Sequence, residues 1–147
     1  MNTYPGLLQT HSWLRYAVFI LLLIVIIKSL LGWLGKKPFG SADNKLSLWL
    51  LIVTHIQFLI GIILYVVSPF VVFGASTMKD DTARYWTVEH AVMMLIAVVL
   101  ITVARSRSKR AAAAAGKHKT LFLLNIIALI IIIITINMGG RGLIGAF

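Results

Sequence analysis

The sequence predicts an all-α fold, a four-helix transmembrane bundle running up-down-up-down, and three observations carry that prediction. First, 60% of the 147 residues are hydrophobic and only 12% are charged, whereas soluble domains run at about 45–50% apolar and roughly a quarter charged. Second, four stretches reach the roughly 20 apolar residues that a helix needs to cross a hydrocarbon core of about 30 Å. Third, none of them alternates strictly between apolar and polar positions, and the run from Ile130 to Ile134 is apolar on every side. A barrel strand is thereby excluded, and in lipid the helix is the remaining way for a backbone to satisfy its own hydrogen bonds.

The first span is expected at about 12–34, bounded by Gly35-Lys36-Lys37-Pro38, because Gly and Pro end helices. The second is expected at about 46–67, stopped by Ser68-Pro69. The third is expected at about 85–104, ahead of Arg105-Ser106-Arg107-Ser108-Lys109-Arg110, and the fourth at about 120–138. The tract Ala111–Ala115 is low in complexity but favours helix, so it is read as a helical extension beyond the membrane. The N-terminus carries neither a basic region nor a small-residue cleavage site, so the first span is expected to remain in the mature chain. The chain reads as one domain, 1–147, with no linker and no internal repeat.

Fourteen Lys and Arg stand against four Asp and Glu, a formal net charge of +10. The first connection holds Lys36, Lys37 and Lys45, and the third holds Arg105, Arg107, Lys109, Arg110, Lys117 and Lys119. In the middle loop, Lys79 and Arg84 are offset by Asp80 and Asp81, and the tail adds Arg141. The positive-inside bias makes the basic loops cytoplasmic and puts both termini outside. The charge then belongs beside anionic lipid, and no nucleic-acid partner is expected. The absence of cysteine excludes disulfides, thiolate zinc sites, covalent c-type heme and cysteine-bound iron–sulfur clusters.

The chain has four histidines, one in or at the edge of each span: His11, His55, His90 and His118. Ionisable groups in the hydrocarbon are costly and mark pathways or cofactors. A b-type heme in a four-helix bundle takes inward imidazoles from two helices. By depth, His11 and His90 are expected to share an outer heme iron. Their levels differ by roughly 10 Å if Gly35 bounds the first span, and nearly coincide if Lys28 marks the inner boundary. His55 and His118 form the candidate pair for a second, inner heme. Arg15 lies one turn below His11 and needs an anion, either Glu89 or a heme propionate. Trp86, four before His90, either covers a porphyrin edge or anchors in the interfacial aromatic belt. Met94, four after His90, is an alternative axial ligand or core filler. Thr54 and Gly61, seven apart, mark a stripe where a helix or a flat ring can approach. His118, between Lys117 and Lys119, also reads as an interfacial residue, and Lys28 as a snorkelling one.

The chain resembles small four-helix bacterial membrane proteins catalogued as cytochrome B. The segments that carry the resemblance are Tyr4-Pro5-Gly6-Leu7-Leu8 with His11-Ser12-Trp13-Leu14-Arg15, and Thr54-His55-Ile56-Gln57 with Gly61. Thr87-Val88-Glu89-His90 with Met93-Met94, and Lys117-His118-Lys119-Thr120, complete it. The resemblance implies non-covalent heme b, bis-histidine ligation and electron transport in the bacterial inner membrane. Halves of heme A synthase are similar in general plan, but this chain has half that protein's spans and its activity is not carried over.

The expected function is one-electron transfer by a membrane b-type cytochrome with one heme b or two, as an electron carrier more than a stand-alone enzyme. Expected partners are the lipid bilayer, a quinol or another redox protein, and further copies of the chain or a larger respiratory complex. Two rival readings are a heme-free proton or ion relay through Arg15, Glu89, His90 and His55, and an accessory subunit of a membrane complex. A zinc or copper carrier lacks closely spaced His or carboxylate ligands, and no Ser, His and acid are assembled for hydrolysis.

Overall fold

The computed structural model describes residues 3–140; Arg141 of the tail lies outside them. Four helices are long and apolar enough to cross a membrane: α1 Tyr4–Leu34, α2 Ser41–Val67, α3 Asp81–Arg110 and α4 Ala114–Met138. The protein is an all-helical four-helix bundle. Each helix packs on its neighbour in sequence, and α4 closes the ring onto α1. α1 and α3 therefore face each other across a diagonal, and α2 with α3 forms the thinnest seam.

The ends of the helices follow from local chemistry. Pro5 stands in the first turn of α1, where its missing N–H costs nothing. Gly35 closes that helix, its amide donating to Leu31 O, and Lys36 takes a left-handed φ of 50°. Gly40 N–H donates to the Asp43 carboxylate at 2.8 Å to start α2. Asp80 Oδ1 accepts from Ala83 N–H at 2.8 Å to start α3, as N-cap aspartates do. Before it stands a short 3-10 turn, Thr77–Lys79.

All four helices begin further out than the hydropathy pattern places them, and α3 also ends six residues later. Polar and charged residues extend a helix past the bilayer because the backbone there still bonds to itself, so apolarity marks the membrane and not the helix. α1, with 31 residues, is about 46 Å long against a hydrocarbon core of about 30 Å.

The expected helical extension at Ala111–Ala115 forms only in part: Ala114 and Ala115 open α4, and the three residues before them are not helical. α3 stops at Arg110, and Ala111 and Ala113 are extended, with ψ of 136° and 147°. The chain must reverse here so that α4 can pack along α3, and that packing overrides alanine's weak helical preference. Lys117 secures the turn by donating to Ser108 O at 3.0 Å and Lys109 O at 3.1 Å, two of the last carbonyls of α3, where helical bonding runs out.

The core is built on fully enclosed Leu22, Leu50, Ala104 and Ala128, with Val25, Ile101 and Leu121 around them. Small buried residues, among them Ser29, Gly32, Ser47, Ala97 and Ser108, let the backbones approach. Helices in lipid need such contacts, because burying apolar surface there brings no hydrophobic gain. Lys28 meets Asp43, in the first turn of α2, at 3.2 Å. The pair joins α1 to the first turn of α2 about one and a half turns before the end of α1.

Candidate functional site

The half of the bundle in which α1 and α3 begin, expected from sequence to be the outer one and so labelled below, holds a partly open cavity of about 410 Å³. Of the residues singled out from sequence, His11 and Arg15 from α1, Thr54 and Gly61 from α2, and Trp86, His90 and Met94 from α3 line it. Because α1 and α3 are diagonal to each other, the two imidazoles approach the cavity from opposite walls. The remaining wall is largely apolar, with Phe19, Leu22, Phe58, Met94 and Ile132 among its residues.

The two histidines lie at similar depth. His11 rests on α2 at Gly61, where an added Cβ would stand 3.2 Å from His11 Cε1, and Gln57 Nε2 donates to His11 O at 2.8 Å. One turn further out on α2, Tyr65 donates to Thr87 O at 2.8 Å, and Thr87 is three residues outward of His90. His11 and His90 are thus level to within about one helical turn, the closer of the two alternatives read from sequence.

Polar atoms around the cavity are left without partners. His11 Nδ1, Thr54 Oγ1 and Gln57 Oε1 are buried and make no hydrogen bond. Buried polar groups are nearly always satisfied, and an unsatisfied one costs about 1–3 kcal/mol. Three of them on the α1–α2 side of one cavity are an arrangement suited to a guest with polar groups of its own.

A local irregularity of α3 shapes the opposite wall. Tyr85–Glu89 forms a π turn, and the N–H of His90 bonds to Tyr85 O five residues back. Such turns are rare and often stand at functional sites. This one is held from outside by Thr87 Oγ1, which accepts from Val72 N–H at 2.9 Å. Trp86 contacts both Tyr85 and His90, with ring centroids 4.8 and 5.1 Å apart. Tyr85 is a site residue that sequence reasoning missed. At α-helical pitch, five residues place it on a different face from His90, and no sequence signal announces a π turn.

Glu89 does not meet Arg15. Its carboxylate accepts from Arg84 Nε at 2.8 Å, and Arg84 also bonds Asp81 at 3.0 Å. Arg15 bonds the Tyr16 hydroxyl at 3.1 Å and lies 5.0 Å from the centre of its ring.

The inner histidines are not brought together. His55 is exposed on the outside of the bundle at the α2–α3 seam, with Nε2 3.0 Å from Thr102 Oγ1. His118 is on the opposite side, only 1% exposed, between α1 and α4. Its ring fills the space of a Gly32 side chain, stacks 5.2 Å from Phe39, and directs Nε2 at Lys37 O and Pro38 O, 3.2 and 3.3 Å away. The expected pairing of His55 with His118 around an inner heme therefore has no common cavity. The physical reason is helical phase: Thr54 faces inward, so His55, rotated by about 100°, cannot. His118 is buried within the protein and binds the turn after α1 to α4.

Among the described residues, no group of three or more His, Cys, Asp or Glu could hold a bare metal ion. A porphyrin supplies four of the iron's ligands itself, so two facing imidazoles are all that it requires from a protein. Comparisons with family models, with curated proteins and with solved structures find no match to this chain.

Proposed function

We propose that this chain is a membrane b-type cytochrome whose single heme sits in the outer cavity between His11 and His90 and carries one electron at a time. The observation that supports this most directly is that imidazoles from two diagonal helices line one partly open, mostly apolar cavity at nearly one depth. A bundle alone implies no function; this donor set suits a cofactor that brings its own equatorial ligands.

Held by two histidines, a heme would supply outer-sphere one-electron chemistry. The chain's residues would hold and tune it. His11 and His90 would hold the iron, Gly61 makes room for the His11 ring, and Phe19, Phe58 and Ile132 would exclude water. Arg15 would offer a charge to a propionate, and Trp86 an aromatic surface to the group. The resemblance to the cytochrome B proteins runs through the same segments. In this reading the protein sits in a bacterial inner membrane with its basic loops cytoplasmic, and exchanges electrons with a quinol or a redox protein, alone or within a complex.

The heme-free relay draws less support. Glu89 is engaged with Arg84, and His55 faces away from the cavity onto Thr102, so these groups do not line up as one path.

The test is the absorption spectrum of the detergent-purified full chain, produced with ample heme and recorded oxidised and reduced. The expected result is a Soret band with sharp reduced α and β bands, lost in His11→Ala and in His90→Ala. A colourless protein, or a His90→Ala spectrum identical to the parent's, overturns the reading.

A further inference from the structure

We propose that the groove at the basic end of the bundle, between α1 and the turn that follows it, holds the phosphate of one anionic phospholipid whose acyl chain lies along α1. The groove shares no lining residue with the cavity of His11 and His90. The site therefore does not rest on the heme reading.

Its apolar wall is a stripe of α1. Ile24, Ile27, Lys28 and Leu31 recur at spacings of three and four, which puts them on one face of the helix. Ile24, Ile27 and Leu31 are 40–55% exposed, and in a membrane that surface meets lipid. From Ile24 to Leu31 the stripe runs about 10 Å along the axis, room for a length of hydrocarbon chain. The groove holds about 360 Å³, is partly open, and ends at Lys37, Pro38 and Asp43.

The charges there show the cations and cover the anion. Lys28 Nζ lies 3.2 Å from Asp43 Oδ1, but the lysine side chain is 42% exposed and the aspartate only 9%. Asp43 Oδ2 accepts from Gly40 N–H at 2.8 Å, so both carboxylate oxygens already have partners. An ammonium has three N–H donors, and Asp43 takes one. Lys37 adds a second ammonium, which forms no ion pair among the described residues. Two lysines against one aspartate leave one positive charge in excess, the complement of a singly charged phospholipid such as phosphatidylglycerol.

Lys37 is held at the groove by its main chain from both sides. Its N–H donates to Gly32 O at 2.9 Å, and its carbonyl accepts from His118 Nε2 at 3.2 Å. The His118 ring reaches that carbonyl across the bare α-carbon of Gly32, where an added Cβ would collide with it. A position fixed before binding lowers the cost of ordering it on binding. Free phosphate offers the same anion chemistry as a headgroup. The lipid-facing stripe beside the lysines favours the phospholipid, and basic pockets between helices at a membrane surface take such headgroups.

The experiment strips the full chain of lipid in detergent and counts adducts by native mass spectrometry with dioleoyl phosphatidylglycerol, dioleoyl phosphatidylcholine and inorganic phosphate. One saturable phosphatidylglycerol adduct is expected, tighter than phosphatidylcholine, with inorganic phosphate failing to displace it. Lys37→Gln keeps the main-chain bonds and should weaken phosphatidylglycerol about fivefold, the effect of one lysine beside anionic lipid. Ile27→Trp, which fills the groove from the lipid-facing side, should weaken it as well. Lys109→Gln, in the other basic connection and outside the groove, should leave it unchanged, and size-exclusion profiles verify that each variant is folded. Equal affinity for the two lipids, adducts that accumulate without a plateau at one, or parental affinity in Lys37→Gln or Ile27→Trp overturns the proposal. So does an equal loss in Lys109→Gln, which marks general surface charge, or displacement by inorganic phosphate, which marks a free-anion site.

Discussion

His11 and Gly61 form a knob and its socket: the imidazole lies on the bare α-carbon of the glycine, and a methyl group there would stand 3.2 Å from Cε1. The contact holds the first candidate ligand against α2, while Gln57 bonds the His11 carbonyl from the same helix. Gly61→Ala needs a displacement of only a few tenths of an ångström and should retain the heme spectrum. Gly61→Leu fills the socket and should abolish most of the Soret absorbance per mole of folded protein. Full heme content in the leucine variant, measured beside a size-exclusion profile, would sink this assignment.

His55 and His118 should be dispensable for the cofactor. His55→Leu removes an outward-facing group bonded to Thr102 and should leave the reduced spectrum unchanged. The same holds for His118→Ala, but that variant should be less stable. It removes a packed ring and the part-buried contacts of Nε2 with Lys37 O and Pro38 O, of which the hydrogen bonding alone is a net loss of about 0.5–1.5 kcal/mol. Thermal unfolding in detergent reads the difference, and an altered α band in either variant would reopen the question of an inner ligand.

Gly32→Ala tests the same inner contact from the other side. Its added Cβ would collide with the His118 ring, with Nε2 2.7 Å away, and the ring is confined by Phe39 and two carbonyls. Overpacking of this kind costs about 1–3 kcal/mol. The expected outcome is a lowered melting temperature with an unaltered spectrum; a melting temperature equal to the parent's contradicts the packing described.

Arg15→Gln should lower the reduction potential without changing the absorption bands. The positive charge on the cavity wall favours the reduced, less positive iron. At an effective dielectric of about 20, a unit charge about 10 Å away contributes roughly 1.7 kcal/mol, on the order of 70 mV for a one-electron couple. A spectroelectrochemical titration measures it, and an unchanged or raised potential would remove Arg15 from the tuning role.

Glu89→Gln should change little. The carboxylate forms a partly exposed ion pair with Arg84, and pairs of that kind contribute about 0–1 kcal/mol. Heme content and melting temperature should stay near the parent's. Loss of proton movement in proteoliposomes carrying this variant, against a conducting parent, would favour the relay over the cytochrome.

The number of spans, the helical class, the order of the elements and several residues of the outer cavity were legible in the chain alone. Hydropathy and length are local quantities, and the bilayer thickness converts them directly into crossings. His11, Arg15, Trp86 and His90 all reach the same cavity, because polar residues within apolar helices tend to avoid lipid. Part of the inner error was also avoidable. Thr54, Gln57 and Gly61 fall at spacings of three and four and define the inward face of α2, which leaves His55 about 100° outside it.

What the tertiary structure alone decided is how each helix is rotated and where its regular geometry breaks. Ala111–Ala113 gave up helix because α4 must turn back along α3. His118 became a core group because Gly32, 86 positions away in sequence, has no side chain. The π turn at Tyr85–Glu89 exists because Val72 bonds Thr87 and Thr135 receives the Tyr85 hydroxyl. Each of these depends on contacts between distant segments. A local pattern fixes how apolar a helix is, but the energy that sets its phase and its irregular turns comes from the helices packed beside it.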